Sequence, residues 1–379
     1  MLKIAINKPG NSVLVGTLVP VGSRDEMDSV KGVSHFVEHF LFKGTKTRSK
    51  DDITRTVEQY GAEFNAWTSE EHTFYYMTIA SRYRDLARTI IDDMVHNSVF
   101  PSEEVDNERD VIMQELQMYD DNPQSRVFQI AQSAMFNKTS GLHIPIIGTP
   151  TTLNDITQKT LISHYAKYYK QMVQVEVGDV KNERNRIITP KRFDKEPLNT
   201  GLNDLIVSQA EINQANMVMT GLFYNNNAED DRSLQLLSSV LNGFQGRLFQ
   251  TIREKNHLVY HCSFMPQKFS CGTVQYWVYA ALNPDKIQQA KQLIIDELTR
   301  PVTDTEYIFA KSKHIGQQAL DLDKNSYVIK TIIDSVINNE AYEDALTNYD
   351  KGIVSLSQLN AFMSKINFKN SKLVAIIPE

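Results

Sequence analysis

Cysteine is scarce in this 379-residue chain: Cys262 and Cys271 are the only two. Two thiols cannot build a disulfide framework, which points to a reducing compartment, and both are expected to be free and buried. No apolar run approaches the roughly 20 residues that cross a bilayer, so no membrane partner is expected. The opening M-L-K-I-A-I-N-K-P-G lacks the apolar core and cleavage site of a secretory signal. A cytoplasmic protein is the expectation. Runs rich in lysine or arginine are missing too, and 40 basic against 46 acidic residues leave a formal charge of −6. That balance argues against nucleic acid as a partner. Hydrophobic residues at 41% and charged residues at 23% are ordinary for a chain with real cores, and the length suggests two or three domains.

The chain reads as one unit repeated. In the first half, a helical stretch from Asp51 to Tyr60 precedes two strand-like runs, G-A-E-F-N-A-W-T-S and E-H-T-F-Y-Y-M-T-I-A. An amphipathic helix follows, with Leu86, Ala87, Ile90, Ile91, Met94 and Val95 at helical spacing, and another opens near Ser102 after Pro101. The second half repeats the order. R-S-L-Q-L-L-S-S-V-L-N-G and R-L-F-Q-T-I-R-E-K look helical, and L-V-Y-H-C-S-F-M and T-V-Q-Y-W-V-Y-A look like strands. A helix then places Ile287, Ala290, Ile294 and Leu298 on one face, and Thr303 with Glu306 forms a capping-box pattern after Pro301. This is a duplicated α+β domain, each copy a mainly antiparallel sheet with helices packed on one face. The expected division is 1–190 and 202–379, joined through the polar K-R-F-D-K-E-P-L-N-T-G with Pro197 and Gly201.

The run G-V-S-H-F-V-E-H-F-L-F-K-G-T carries the chemistry. On a helix, His35 and His39 stand one turn apart and Glu38 shares their face. Two imidazoles at that spacing can hold zinc, and the carboxylate can take a proton from water at the metal. The order H-x-x-E-H reverses the more familiar H-E-x-x-H. Chance alone would produce it in on the order of one chain in a hundred of this length, so its surroundings decide the matter. A third ligand is needed, and Glu115 in E-R-D-V-I-M-Q-E-L is the best candidate, on a helix far downstream. Glu108 lies two turns earlier on nearly the same face. It either hydrogen-bonds a liganding histidine or is an ordinary solvated carboxylate.

These motifs resemble the pitrilysin/insulinase family of zinc metallopeptidases, whose shorter members include the mitochondrial processing peptidases. V-G-S-R-D-E, H-F-V-E-H-F-L-F-K-G-T, E-R-x-V-x-x-x-E, F-N-A-W-T-S-x-E-x-T-x-Y-Y and R-L-F-Q-x-I-R-E-K-x-x-L-V-Y all look like the family pattern, and they cover almost the whole chain. The resemblance implies a clamshell of two domains. It also implies one zinc per chain on His35, His39 and Glu115, with Glu38 as catalytic base and Glu108 as supporting carboxylate. It assigns Phe64, Asn65, Ala66 and Thr68 to an edge strand that binds an extended peptide by β-augmentation. Asn65 is then a donor to the substrate backbone or a plain strand-end residue. Arg253 and Tyr260 match a pair that family members extend to substrate, suited to a polarised carbonyl. Arg253 alone would read as a surface ion pair.

The chain departs from the family pattern after Asp179, where N-E-R-N-R-I-I-T-P-K-R is too short for the usual helix and further segment. The glycine-rich loop of the second half carries bulky Phe244 and Gln245, and His257 stands where glycine is common. The expected function is zinc-dependent endopeptidase action on unfolded peptides or extended protein segments. The chain would work as a homodimer, or as a heterodimer with a motif-lacking partner. The alternative is a non-catalytic zinc-binding or peptide-binding subunit of a processing complex.

Overall fold

The computed structural model describes residues 2–185, 193–196, 203–225, 227–342, 346 and 352–379. The first half runs β1 (Leu2–Asn7), β2 (Ser12–Val19), α1 (Val33–Leu41), α2 (Lys50–Gln59), β3 (Glu63–Thr68), β4 (Thr73–Ala80), α3 (Arg84–Asn97), α4 (Ser102–Asp121), α5 (Pro123–Met135), α6 (Pro150–Asp155), α7 (Gln158–Tyr168), β5 (Val173–Gly178) and β6 (Glu183–Arg184). The second runs β7 (Leu205–Gln209), β8 (Ala215–Tyr224), α8 (Ala228–Leu241), a π-helix (Phe249–Lys255), β9 (Val259–Lys268), β10 (Thr273–Leu282), α9 (Ile287–Thr299), α10 (Asp304–Leu322), α11 (Asn325–Asn338), α12 (Leu356–Lys365) and β11 (Lys372–Pro378).

The first compact unit comprises Met1–Met118, Thr139–Pro190 and Asp321–Leu346. Its sheet has the order β3-β4-β2-β5-β1-β6, antiparallel except for the parallel β1–β5 pair. Strand β2, S-V-L-V-G-T-L-V, is buried from its second residue onward, because both sheet faces are covered and an alternating pattern would leave polar groups inside. Helix α3 packs on β2 and β4. Leu14, Leu18, Phe74, Val173, Val175 and Val177 meet Val328, Ile329, Ile332 and Ile333 of α11. After Asp179 the described chain adds the two-residue β6 against β1.

The second compact unit comprises Tyr119–Lys138, Lys191–Leu320 and Thr347–Glu379. Its sheet has the order β7-β11-β8-β10-β9, with β7–β11 the one parallel pair. Residues of α8, α9 and α12 share a core with Met217, Met219, Tyr276 and Val278. Val127 and Ala131 of α5 pack with Val218, Trp277, Tyr279, Val374 and Ile376 in a separate cluster.

Each sheet therefore carries the expected group of helices from its own half and, in addition, one helix from the other half. Helix α5 belongs with the second sheet and α11 with the first. The compact units are accordingly not the consecutive segments 1–190 and 202–379. Of the join, only 193–196 are described, and Pro197 and Gly201 lie outside the described residues. Both cysteines are free and buried. Among the described residues no helix is long and apolar enough to cross a membrane.

Candidate metal centre

Helix α1 is short, and its start is built with care. Gly32, its N-cap, sits at φ +98, and a Cβ there would come within 2.5 Å of the Ile147 carbonyl oxygen. Glycine meets both demands but brings no capping side chain. Glu26 supplies the cap from upstream. Its Oε2 accepts from the Gly32 N–H at 2.8 Å and its Oε1 from the Ser34 N–H at 2.6 Å. Burial pushes the Glu26 carboxyl up to about 7 against the pull of those hydrogen bonds. Buried Lys31 donates to the Ser23 carbonyl at 2.8 Å. Phe36, Val37, Phe40 and Leu41 hold the apolar face of α1 fully buried, and Phe40 stacks on Phe100 with centroids 5.5 Å apart. The opposite face presents His35, Glu38 and His39.

The far end of α1 is fixed through the segment that follows. Thr45, Thr47 and Arg48 all donate to Oδ2 of Asp93 on α3, at 2.6, 2.8 and 2.6 Å. Asn97 donates to the other carboxylate oxygen at 2.9 Å. Burial would raise the Asp93 carboxyl, but these donors outweigh it and hold it at about 2.

Helix α4 brings the distant carboxylates. Val105, Ile112 and Leu116 bury one side, and Arg109 donates to the Leu153 and Ile156 carbonyls at 3.1 and 2.7 Å, tying α4 to the α6 segment. Glu115 thereby points Oε2 at both histidines, 3.7 Å from Nε2 of His35 and 3.5 Å from Nε2 of His39. The three ligand atoms lie within 4.8 Å of one another. Zinc bonds of about 2.0–2.2 Å in tetrahedral geometry place such atoms roughly 3.3–3.5 Å apart, close to the two Glu115–histidine separations, so the residue types and their spacing suit a zinc ion.

Glu108 is buried and is no solvated carboxylate: its Oε1 lies 2.7 Å from Nδ1 of His39, and its Oε2 pairs with Lys43. Burial raises the Glu108 carboxyl, but His39 and Lys43 outweigh it and hold it at about 2. His35 is pushed down to about 4 by burial and by the neighbouring His39. Burial acts on His39 in the same direction, but its hydrogen bonds to Glu108 and Glu115 lift it to about 9. Glu38 is raised by burial, partly offset by a hydrogen bond from Thr68.

Strand β3 is an edge of its sheet and runs beside α1. Phe64 packs on Phe42 at 4.9 Å between centroids. Thr68 Oγ1 donates to Glu38 Oε2, so the hydroxyl serves the carboxylate. Asn65 Oδ1 accepts from the Ala66 N–H at 2.9 Å, occupying a backbone donor of the edge strand. The T-S-E-E turn after β3 is locked to the G-S-R segment: the Ser23 and Arg24 N–H groups bond the Ser69 and Glu70 carbonyls, and Arg24 pairs with Glu71 at 2.7 Å, both buried.

In the second unit, Arg253 lies in the π-helix with its guanidinium 4.6 Å from the Phe249 ring centroid and 4.7 Å from that of Tyr260. The two residues expected to act together are thus in direct cation–π contact, with Tyr260 81% exposed. Phe244 extends the row, 5.2 Å from Phe249. His257 ends the π-helix at φ +54, its N–H on the Arg253 carbonyl and the Leu258 N–H on that of Ile252. This is the left-handed closure that glycine adopts without strain, which explains why glycine suits the position. Arg247, in the same R-L-F motif, is buried. It donates to both oxygens of Glu306 and to the Glu297, Arg300 and Pro301 carbonyls, a structural anchor. Thr303 and Glu306 form the expected capping box.

Reading the residues alone gave Glu26, Lys43 and Asp93 no role. An acidic residue a few positions before a glycine-started helix is the one signal that pointed toward Glu26.

Residues 3–149 match the family model described as insulinase (peptidase family M16), and residues 155–315 match the one described as peptidase M16 inactive domain. An uncharacterized zinc protease of Streptomyces coelicolor is 30% identical over 85% of this chain and 75% of its own. One from Bacillus subtilis is 27% identical over 84% of this chain and 81% of its own. The chain belongs to the M16 (insulinase) family of peptidases. In fold it is similar to a protease from Helicobacter pylori, with a TM-score of 0.89 at 20% identity, covering 99% of this chain and 96% of that one. A Pseudomonas fluorescens structure titled peptidase M16 inactive domain has a TM-score of 0.84 at 15% identity, covering 100% and 95%.

Proposed function

We propose that this chain is a zinc-dependent endopeptidase that cleaves unfolded peptides or extended protein segments. The observation that carries the reading is the convergence of His35 Nε2, His39 Nε2 and Glu115 Oε2, with Glu38 on the same helix face. One zinc ion per chain, held by those three residues, would polarise the scissile carbonyl and make water more acidic. Glu38, on the same helix face as the two histidines, takes the proton from the attacking water and returns it to the leaving amine. Glu108 accepts from Nδ1–H of His39 and fixes the tautomer that leaves Nε2 free to ligate.

An extended peptide adds to the exposed edge of β3, in register with Phe64, Ala66 and Thr68. An incoming carbonyl would replace Asn65 Oδ1 at the Ala66 N–H, releasing the Asn65 amide to the substrate backbone. Arg253 and Tyr260 contact substrate as a cation and a phenol already held together. The protein acts in the cytoplasm, a reading supported by its two free thiols, and as a homodimer on the pattern of short family members.

The test is incubation of zinc-loaded protein with a mixed peptide library, cleavage sites being read by mass spectrometry. Glu38→Gln at equal zinc content is the control. Cleavage by the wild type and none by the variant is expected. Zinc-loaded wild type that cleaves nothing, or a variant that cleaves as well, would overturn the reading.

A further inference from the structure

Lys43 stands one helical turn beyond His39, just past the end of α1. Its N–H bonds the Phe40 carbonyl, as the Phe42 N–H bonds that of His39. Gly44, at φ +122, then turns the chain into the segment anchored on Asp93. The backbone of Lys43 is therefore fixed on both sides, and its side chain, only 16% exposed, reaches across to α4. There it pairs with Oε2 of Glu108 and lies 3.7 Å from Glu104.

Glu108 is 4% exposed, and the two oxygens of its carboxylate are divided between two partners. The inner one faces His39 Nδ1 at 2.7 Å and the outer one faces the ammonium. A buried carboxylate needs a counter-charge. A histidine that ligates a metal through Nε2 is a neutral imidazole, so it offers Glu108 a hydrogen bond but no charge of its own.

We propose that Lys43 is a positioning residue of the metal centre: it clamps the outer oxygen of Glu108 so that the inner oxygen is held on Nδ1 of His39. Lys43 touches neither metal nor substrate. It acts through Glu108, and it sets how tightly the centre holds its ion. The inference rests on the metal-centre reading above and names a residue that reading does not use.

Zinc dissociation constants, measured by competition with a chelator, test it in wild type, Lys43→Met, Lys43→Arg, Glu108→Gln and the Lys43→Met/Glu108→Gln double variant. Removing a partner at this distance from a metal weakens binding by about 10- to 100-fold, and Lys43→Met should fall at the lower end. Lys43→Arg keeps the charge and should recover most of the loss. On the Glu108→Gln background, Lys43→Met should cost nothing further, because its only route to the metal is already cut. A merely structural lysine would weaken binding equally on both backgrounds. Should Lys43→Met fold poorly, Lys43→Gln replaces it in the same cycle with the same expectation. Wild-type affinity in the neutral variants, or a loss undiminished by Glu108→Gln, overturns the role of Lys43. Wild-type protein that binds no zinc overturns the centre itself, and this role with it.

Discussion

The hydroxyl of Thr68 donates to Oε2 of Glu38 across 2.5 Å, joining the edge strand of the first sheet to the middle of helix α1. Glu38 is buried, and a buried carboxylate with few donors is free to turn. Thr68 removes that freedom and, being on β3, links the position of the carboxylate to the strand on which an extended peptide would lie.

Thr68→Val keeps the branched shape and strand propensity while deleting the donor. We expect kcat to fall by roughly 10- to 100-fold, the scale on which small misplacement of a catalytic group acts. KM should change little, since the backbone of β3 is untouched, and zinc content should stay at the wild-type level. Steady-state kinetics on a single peptide decide it. An unchanged kcat would mean that Glu38 is held well enough by its helix and the Thr68 backbone without the hydroxyl.

Glu115→Gln preserves the volume of the third candidate ligand and removes its charge. Two histidines one turn apart are a weak site by themselves, so zinc should be lost on dialysis, with affinity lower by at least about 100-fold. The fold should survive, because Glu115 is part-exposed and the buried side of α4 is carried by Val105, Ile112 and Leu116. Metal analysis after dialysis reads the result. Full retention would show that another group completes the site.

Asp93 gathers four side-chain donors that hold the segment after α1, and its carboxyl is depressed to about 2. A carboxylate whose folded pKa lies below its unfolded value of roughly 3.8 stabilises the fold above that value, and the contribution disappears as pH falls through 2. Asp93→Asn should therefore cost about 2 kcal/mol at pH 7, within the range for charged hydrogen bonds with a partly exposed arginine partner. The gap between wild type and variant should narrow between about pH 4 and pH 2. Urea unfolding at a series of pH values measures both. A gap constant across that range would show that the charge contributes nothing.

What could be read from sequence follows the range of the interactions involved. His35, Glu38 and His39 were legible because one helical turn fixes their common face, and β3 and β4 because runs rich in aromatic and branched residues are local signals. The third candidate ligand was legible only as a carboxylate on a helix: the turn from α4 toward α1 depends on Arg109 and the carbonyls of Leu153 and Ile156, some forty residues away. The exchange of α5 and α11 was invisible for a related reason. An apolar stripe such as Val328, Ile329, Ile332 and Val336 announces that a helix will be buried but not which sheet will cover it. The π-helix was likewise beyond reach, since F-Q-T-I-R-E-K satisfies an ordinary helix. Its widened turn accompanies a closure at His257 that residue type does not favour.

Arg253 and Tyr260 form a pre-assembled pair: the guanidinium lies 4.7 Å from the ring centroid, while Tyr260 stays 81% exposed. A cation–π contact at the surface is worth about 0.5–1 kcal/mol, too little to make the pair a major stabilising element. An exposed tyrosine held in place by an arginine is better explained by binding. Arg253→Ala and Tyr260→Phe should lower kcat/KM, by roughly 10²–10³ if the lost group donates to the developing oxyanion and by less if it only positions the peptide. Tyr260→Phe separates the two roles of the ring, since it keeps the stacking and deletes the donor. Zinc content should be unchanged in both variants, and the melting temperature should move by no more than about 2–3 °C. If both cleave peptides at the wild-type rate, the pair has no part in turnover, and exposed Phe244 and Tyr260, at the two ends of the row through half-buried Phe249, would have to serve some other contact.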